Sequence, residues 1–286
     1  MSKSMPVVVF ASDEKFVPGL FVALYSISVN SLAKKIKIFI IDGGISLKNK
    51  NIIQSFFEDS NLSIEIIDID RALFDDFLIS KRINSVSYYR LEIPQLLSPA
   101  IEKAIYLDCD IVVEGDICDL WDMKLGEKFL LAVPEMDPDS LYVSSPNGLA
   151  LYKELQIPSN QLYFNAGVLL LNLSLWRKNS ISSKIYKYLF EYKKFVRYHD
   201  QDGMNAVLWN NWGTLPPEWN AMSSVYSQVT NIEIGLSENE FYKTFTDPKI
   251  IHYYDAEKPW HKDCLHQKKD RYYYYLETSG VDLYIN

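Results

Sequence analysis

The sequence predicts an α/β fold built on a single, mostly parallel, twisted sheet that is flanked by helices. Over residues 6–69, short apolar runs rich in Val, Ile and Phe alternate with longer segments whose apolar residues recur at helical spacing. Continuous apolar runs of this length indicate strands buried on both faces, which is typical of parallel sheets. The repeated strand–helix–strand order also implies crossover connections, and these pair consecutive strands in parallel.

The first part of this pattern predicts three strands and two helices. The strands are expected at residues 6–10, 36–41 and 63–69, and the helices at residues 16–30 and 46–59. Ser46 is expected to be the N-cap of the second helix, because a Ser hydroxyl accepts a hydrogen bond from an N–H group of the first turn. Ligands bind outside the carboxyl ends of the strands in open sheets of this kind. The turn at residues 11–13 lies at such an end.

The second part is organised around residues 103–113, an apolar run interrupted by Asp108 and Asp110 and predicted to be one buried strand. A helix is expected before it, at residues 85–97, and it carries Arg90. Further elements are predicted after it: strands at 129–133, 164–173 and 249–254, and helices at 181–196 and 199–208. The end of strand 103–113 and the turn at residues 11–13 can therefore face one site.

Asp108 and Asp110 are two residues apart, so an extended chain would place both carboxylates on the same side. Two unpaired carboxylates in an apolar setting repel each other and lose hydration, and a divalent cation removes both costs. Mg²⁺ and Mn²⁺ favour oxygen ligands and keep positions open for phosphate oxygens. This favours a metal site that holds a phosphorylated substrate. The alternative is a surface turn in which the acids accept backbone hydrogen bonds.

Composition limits the classes of protein to consider. The chain has 286 residues, 48% of them hydrophobic, which is enough for a globular core in one domain spanning residues 1–286. Its 29 basic and 37 acidic residues give a net charge of -8, which argues against a nucleic-acid partner. The three cysteines have no metal-binding spacing, and no secretion signal or membrane-spanning run is apparent. A cytoplasmic protein with reduced thiols is expected.

Four other features carry chemistry, and each has a plainer alternative. His252 ends a predicted strand, where a neutral imidazole would complete a metal site or simply be a satisfied polar residue. Lys258 offers a charge for a phosphate, or is a solvated lysine. The acids of Asp200-Gln201-Asp202 open a helix, and at least one is expected only to cap it. Asn165-Ala166-Gly167 allows the backbone to approach a ligand closely, or its glycine only serves packing.

Taken together and in order, these pieces resemble glycosyltransferase family 8, which includes bacterial lipooligosaccharide galactosyl- and glucosyltransferases and glycogenin. The resemblance spans residues 6–265 and leaves an aromatic tail at residues 266–286. It implies a GT-A fold and transfer of a hexose, galactose or glucose, from a UDP-sugar with retention at the anomeric carbon. The matching pieces are Val9-Phe10-Ala11-Ser12-Asp13, Tyr89-Arg90-Leu91, Tyr106-Leu107-Asp108-Cys109-Asp110, Leu120-Trp121-Asp122, Tyr163 to Val168, Asn172 to Arg177, Asp200-Gln201-Asp202, and His252-Tyr253-Tyr254 through Lys258-Pro259-Trp260-His261.

The resemblance also implies roles for individual residues. The ligands of Mn²⁺, or alternatively Mg²⁺, would be Asp108, Asp110 and His252. The residues that bind the UDP-sugar donor would be Ala11, Asp13, Arg90, Asp108, Cys109, Asn165, Ala166 and Lys258, of which Ala11 and Asp13 contact the uridine. The catalytic residues would be Gln201, Asp200 and Glu135, with Glu135 on the acceptor side. Because Gln201 is a poor nucleophile, attack by the acceptor on the front face is favoured over a covalent intermediate on Asp200.

The chain departs from the family pattern at Asp255, where the family usually has Gly, and after Arg271, where no further basic residue follows. The tail therefore predicts at most peripheral membrane contact, with the cytoplasmic face of the membrane as one location. The expected acceptor is an oligosaccharide, a lipid-linked glycan or a glycoprotein. The rival interpretations are a UDP-sugar hydrolase or nucleotidyltransferase on a similar sheet, and a non-catalytic nucleotide-sugar-binding protein.

Overall fold

The computed structural model describes residues 5–74, 77, 85–227 and 229–281. The ends of the predicted domain and of its aromatic tail, residues 1–4 and 282–286, lie outside the described residues. The strands are β1 (Val7–Ser12), β2 (Ile36–Asp42), β3 (Leu62–Asp68), β4 (Lys103–Leu107), β5 (Ile111–Val113), β6 (Leu130–Pro134), β7 (Phe164–Asn172), β8 (Trp212–Thr214), β9 (Ala221–Met222) and β10 (Ile250–His252).

The α-helices lie between and around these strands. They are α1 (Val17–Asn30), α2 (Leu47–Phe56), α3 (Ile93–Leu96), α4 (Ile117–Trp121), α5 (Leu173–Lys178), α6 (Ile181–Glu191), α7 (His199–Leu208), α8 (Glu238–Thr246) and α9 (Lys269–Ser279). Ser46 caps α2 as expected, since its hydroxyl accepts from the Asn49 N–H. Short 3₁₀ segments supply several connections, among them Ser85–Glu92, Lys193–Phe195 and Pro217–Asn220.

Seven strands form the main sheet in the order β3-β2-β1-β4-β7-β6-β8. The pairs β1–β2, β2–β3, β1–β4 and β6–β8 are parallel. The strand–helix order predicts the first two of these pairs, whereas β8 was not predicted to be a strand. Strand β7 is the exception, because it runs antiparallel to both of its neighbours, β4 and β6. The core lies on both faces of this sheet, where Val8, Val9 and Phe10 have no exposed surface. The fold is therefore α/β with a mostly parallel sheet, which confirms the predicted class.

The prediction of one strand over residues 103–113 is wrong. The segment divides into β4, which belongs to the main sheet, and β5, which pairs with β10 in a second sheet of order β5-β10-β9. The chain must bend to pass from one sheet to the other, and the residues at the bend are 108–110. Both sheets hold this bend, because the Asp108 N–H donates to the Gly167 carbonyl over 2.8 Å and the Tyr253 N–H donates to the Asp110 carbonyl over 2.9 Å.

Two predicted helices also differ from the structure. Residues 85–97 form a 3₁₀ segment followed by the short α3, and Pro94 in the first turn of α3 removes one helical donor. Helix α6 ends at Glu191, and the chain continues through the 3₁₀ turn Lys193–Phe195. The tyrosine-rich segment of the tail is α9, which packs against α1 with Tyr272 and Tyr275 buried.

Candidate active site

A cavity of about 760 Å³ opens where the two sheets meet, beyond the ends of β1, β4 and β10. Its wall includes every residue that the sequence singled out for the site. These residues are Ala11, Asp13, Arg90, Asp108, Cys109, Asp110, Glu135, Asn165, Ala166, Asp200, Gln201, His252 and Lys258. Residues separated by up to 247 positions in the chain thus meet in one place, and their contacts show what each contributes.

Asp108, Asp110 and His252 bring their ligand atoms within 4.8 Å of one another. His252 Nε2 lies 3.3 Å from Asp110 Oδ1 and 3.9 Å from Asp108 Oδ2. Asp110 and His252 are buried, whereas Asp108 is partly exposed to the cavity. Two carboxylates and an imidazole form a donor set that suits Mn²⁺ or another borderline divalent ion better than Ca²⁺.

The orientation of the His252 ring supports this use of the cluster. Its Nδ1 lies 2.9 Å from Oδ1 of Asn220, a residue with no exposed surface. An amide oxygen only accepts hydrogen bonds, so the proton is on Nδ1 and the lone pair of Nε2 points to the carboxylates. This is the usual arrangement around a metal-ligating His. The three converging atoms are then all acceptors, and a cation between them satisfies all three.

Gly167 gives the cluster its space. A Cβ at this position would lie 2.3 Å from His252 Cε1 and 2.9 Å from Asp108 Oδ2. Any side chain at residue 167 would therefore displace two of the three candidate ligands. The glycine of Asn165-Ala166-Gly167 is needed for the acid–imidazole cluster itself.

Arg90 lies behind the cluster as a buried cation between two acids. Its Nη2 is 3.2 Å from Asp108 Oδ1 and its Nε is 2.9 Å from Asp200 Oδ2. The guanidinium also packs over the Tyr106 ring, 4.5 Å from the centroid. Burial alone would lower the pKa of Arg90, but the charges of Asp108 and Asp200 raise it, so the group stays charged. Burial raises the pKa of Asp200 to about 6, with Arg90 opposing that rise.

Lys258 supplies a second cation at the cavity. Its Nζ lies 2.7 Å from Asp110 Oδ2 and donates to the Tyr253 carbonyl over 2.8 Å. Burial would raise the pKa of Asp110, but the charge of Lys258 holds it well below its usual range. Lys258 is therefore an ion-paired lysine of the site wall and not the solvated lysine of the plainer interpretation.

Amide side chains and one buried carboxylate form another part of the wall. Glu135 Oε1 accepts from Asn165 Nδ2 and from Gln201 Nε2, each over 2.9 Å. Gln201 Oε1 accepts from the Ala166 N–H over 2.9 Å, so both ends of the Gln201 amide are held. Burial raises the pKa of Glu135, which lowers the cost of protonating it. Asn220 connects this wall to the cluster, since its Nδ2 donates to Asn165 Oδ1 over 2.9 Å.

The residues from the end of β1 have local structural roles as well. Asp13 caps the 3₁₀ turn that precedes α1, accepting from the Lys15 and Phe16 N–H groups. The Cys109 thiol donates to the Ala11 carbonyl over 3.2 Å and so ties the bend at residues 108–110 to β1. Burial raises the pKa of this thiol, so the group is neutral. Both residues border the cavity through positions fixed by the fold.

The structure also divides the roles within Asp200-Gln201-Asp202. Asp202 accepts from the Arg197 and Tyr198 N–H groups and from the Tyr163 hydroxyl, so it is the acid with the capping role. Asp200 instead faces Arg90. The sequence analysis missed Asn220, the last residue of the 3₁₀ turn Pro217–Asn220. It also missed the role of the Tyr106 hydroxyl, which donates to Asp108 Oδ1 over 2.7 Å. Tyr106 alternates with the two acids along the chain, a spacing that could have indicated it.

Comparisons with known proteins agree with this geometry. The chain matches the model of glycosyl transferase family 8 over residues 7–264. It is 29% identical over 278 residues to general stress protein A of Bacillus subtilis, covering 95% of this chain and 93% of that protein. It is 25% identical over 273 residues to the lipopolysaccharide 1,2-glucosyltransferase of Escherichia coli K12, covering 95% and 78% respectively. A crystal structure of galactosyltransferase LgtC with donor and acceptor sugar analogues superposes with a TM-score of 0.82 at 26% identity, covering 97% and 98%.

These likenesses confirm the expected GT-A fold and the resemblance read from the sequence. Within the described residues, no helix combines the length and the apolar character needed to cross a bilayer.

Proposed function

The chain belongs to glycosyltransferase family 8, and on that basis we propose that it transfers galactose or glucose from a UDP-sugar to a glycan or glycoconjugate, with retention at the anomeric carbon. The observation that carries the proposal is the meeting of Asp108, Asp110 and His252 in a cavity that also holds two ion-paired cations and a fixed amide wall. The proposed metal is Mn²⁺, with Mg²⁺ as the alternative, because the donor set combines oxygen and imidazole ligands.

Charge on the departing UDP is the first demand of this reaction. When the bond between the sugar and the diphosphate breaks, its electron pair remains on a diphosphate oxygen. A cation held by Asp108, Asp110 and His252 would supply a fixed positive charge where that negative charge develops. Arg90 fixes Asp108 from behind, and Lys258, at the cavity wall, is placed to exchange its contact with Asp110 for one with a phosphate.

The amide wall meets the second demand, which is to hold the sugar while the acceptor attacks. Both ends of the Gln201 amide are occupied, so its position is set by Ala166 and Glu135. A held amide orients and stabilises a cationic sugar better than it attacks one. We therefore favour attack by the acceptor hydroxyl on the face that the UDP leaves, with the hydroxyl proton passing to the departing diphosphate. Asp200 as a transient nucleophile is the alternative, and its contact with Arg90 opposes that role.

The test is to incubate the protein with a panel of UDP-sugars, Mn²⁺ and candidate acceptors, and to measure both UDP release and the new glycoside. EDTA should stop transfer and added Mn²⁺ should restore it. Asp110→Asn should abolish turnover and keep the native circular dichroism spectrum. Full transfer in EDTA would show that the cluster is not a metal site. Release of free sugar or sugar 1-phosphate with every acceptor, and no glycoside, would favour the hydrolase or nucleotidyltransferase instead.

Substitutions at Gln201 and Asp200 distinguish front-face attack from a covalent intermediate on Asp200. Gln201→Ala should lower kcat without abolishing it, because an orienting group is helpful and not indispensable. Its control is Asp200→Asn, which removes the alternative nucleophile and should retain measurable transfer. A glycosyl adduct on Asp200, found by mass spectrometry after incubation with donor alone, would overturn the front-face mechanism.

A further inference from the structure

Helix α6 and the turn after it present a surface that the proposed reaction does not use. We define the basic aromatic face as Lys184, Lys187, Phe190, Lys194, Phe195 and Arg197, all of which are exposed. Phe190 is 72% exposed and Phe195 is 48% exposed. These are the two most exposed phenylalanine side chains among the described residues. A single exposed apolar side chain is ordinary, but two aromatic rings set among cations form a mixed surface that can contact a partner.

Helical spacing places the members of the face that lie on α6 on one side of that helix. At roughly 100° per residue, Lys184, Lys187, Phe190 and Glu191 fall within an arc of about 120° on α6. The opposite side of the helix is buried through Ile185, Tyr188 and Leu189, so α6 is fixed to the core with this arc outward. The 3₁₀ turn Lys193–Phe195 then extends the surface beyond the end of the helix.

The charge of this surface is opposite to that of the whole chain. Residues 181–197 contain five lysines and arginines against one glutamate, whereas the chain as a whole has a net charge of -8. Glu191 pairs with Lys187 at 3.7 Å, so it interrupts the positive surface at one point. A cationic region on an acidic protein is a site of attraction for an anionic surface.

We propose that the basic aromatic face docks on an anionic lipid bilayer. Lysines would lie at the headgroups while the Phe190 and Phe195 rings enter the boundary between headgroups and acyl chains, as on other interfacial helices. Both rings stand on the exposed, convex outer side of α6 and of the turn after it, and neither lines the cavity of the candidate active site. A flat, deformable lipid surface fits such a shape better than an acidic protein does, since a protein partner would need a matching pocket for each ring.

The position of the face relative to the cavity gives the docking a use. Tyr198, three residues after Phe195, lines the cavity. Asp202 accepts the N–H groups of both Arg197 and Tyr198, and the Arg197 guanidinium donates to the Pro146 carbonyl, so this junction is fixed. Docking therefore brings the cavity mouth near the bilayer, which favours a membrane-borne glycan as acceptor. This last step rests on the proposed glycosyl transfer, whereas the docking itself does not.

The test is co-sedimentation of the full chain with vesicles of phosphatidylglycerol and phosphatidylcholine, compared with vesicles of phosphatidylcholine alone. The native protein should bind the anionic vesicles and lose that binding in high salt. Each lysine near such a surface contributes roughly fivefold to partitioning, so Lys187→Gln/Lys194→Gln should weaken binding about 25-fold. Phe190→Ser/Phe195→Ser should weaken it at constant charge.

A matched control removes the same charge elsewhere. Lys34→Gln/Lys35→Gln neutralises two exposed lysines next to Leu32, which is 89% exposed, and should leave vesicle binding unchanged. Equal losses in both lysine pairs, equal binding to the neutral vesicles, or no sedimentation of the native protein would each overturn the proposal. Because no sugar or Mn²⁺ is added, these outcomes are independent of transfer. All variants should keep the native melting temperature and the native rate with a water-soluble acceptor.

Discussion

Replacing Gly167 by Ala tests whether the space beside the acid–imidazole cluster is as important as the ligands themselves. The added methyl would lie 2.3 Å from His252 Cε1, whereas two carbon atoms in contact need about 3.5–4.0 Å. Relief of the clash requires the His252 ring or the backbone to move by more than about 1 Å. Metal sites tolerate ligand displacements of only about 0.2 Å. The geometry therefore predicts the loss of at least one ligand.

The magnitude follows from this displacement. Removing a group that merely orients a ligand lowers metal affinity by about 10–100-fold. Moving the ligand itself should cost at least the upper value, so we expect Gly167→Ala to weaken Mn²⁺ binding about a hundredfold, or ~2.7 kcal/mol. Overpacking should also lower the free energy of unfolding by about 1–3 kcal/mol. Mn²⁺ binding is measured by titration with electron paramagnetic resonance, and stability by urea unfolding.

Gly213→Ala is the matched control. Its Cβ would lie 2.6 Å from Leu131 Cδ2, a comparable clash that involves no residue of the cluster. It should lower stability and leave Mn²⁺ affinity within about twofold of native. Native Mn²⁺ affinity in Gly167→Ala would refute the reasoning, because it would mean that His252 and Asp108 need not keep these positions. An equal loss of affinity in both variants would refute it too, since the loss would then reflect stability alone.

Three further predictions concern single residues. Asn220→Ala should weaken Mn²⁺ binding about 10–100-fold in the same titration, because the His252 ring loses the hydrogen bond that orients it. Unchanged Mn²⁺ affinity would contradict this orienting role of Asn220. Asp255→Gly should change donor affinity, measured by calorimetric titration with UDP, by less than about tenfold. The reason is that Asp255 is exposed and that Lys258 pairs with Asp110 instead. A much larger gain in affinity would mean that the Asp255 carboxylate faces the diphosphate. Burial lowers the pKa of His266 to about 4, so the native fold favours the neutral imidazole. The unfolded chain therefore takes up the proton first as the pH falls below about 6.5. The corresponding stability is fully present above about pH 6.5 and is lost as the pH falls toward 4. Relative to His266→Asn, native stability in urea should therefore fall by about 1–2 kcal/mol over that range, after allowance for partial exposure, and a pH-independent difference would contradict the shift.

The parallel half of the fold and the membership of the site could be predicted because the chain expresses both locally. Strands β1, β2 and β3 are short segments rich in Val and Ile, and their predicted bounds differ from the structure by no more than two residues. The carboxyl ends of the strands then had to meet, which brought Ala11, Asp13, Asp108 and Asp110 together. The roles of the individual residues rest on the family resemblance and stay predictions.

What the sequence could not show depends on pairing between distant segments. Residues 103–113 are apolar enough to be one strand, and only the pairing of β5 with β10 breaks the run in two. Asn220 carries no local signal, because its function comes from contacts with His252 and Asn165, which are 32 and 55 residues away. Similarly, the antiparallel direction of β7 depends on its position between β4 and β6, which local hydrophobicity does not encode.

The charges around the cavity bear on the order in which its ligands bind. Its wall holds eight carboxylates but only three lysines and arginines, and two of these cations, Arg90 and Lys258, are already paired with acids of the wall. A diphosphate that enters such a cavity alone meets net negative charge, and each unit charge about 5 Å away costs roughly 3 kcal/mol at an effective dielectric near 20. A divalent cation at Asp108, Asp110 and His252 reverses the sign of the field at the point where the phosphates must lie. We therefore expect the cation to bind first and the nucleotide second. The acids that repel a metal-free nucleotide thus favour the nucleotide once the cation is bound.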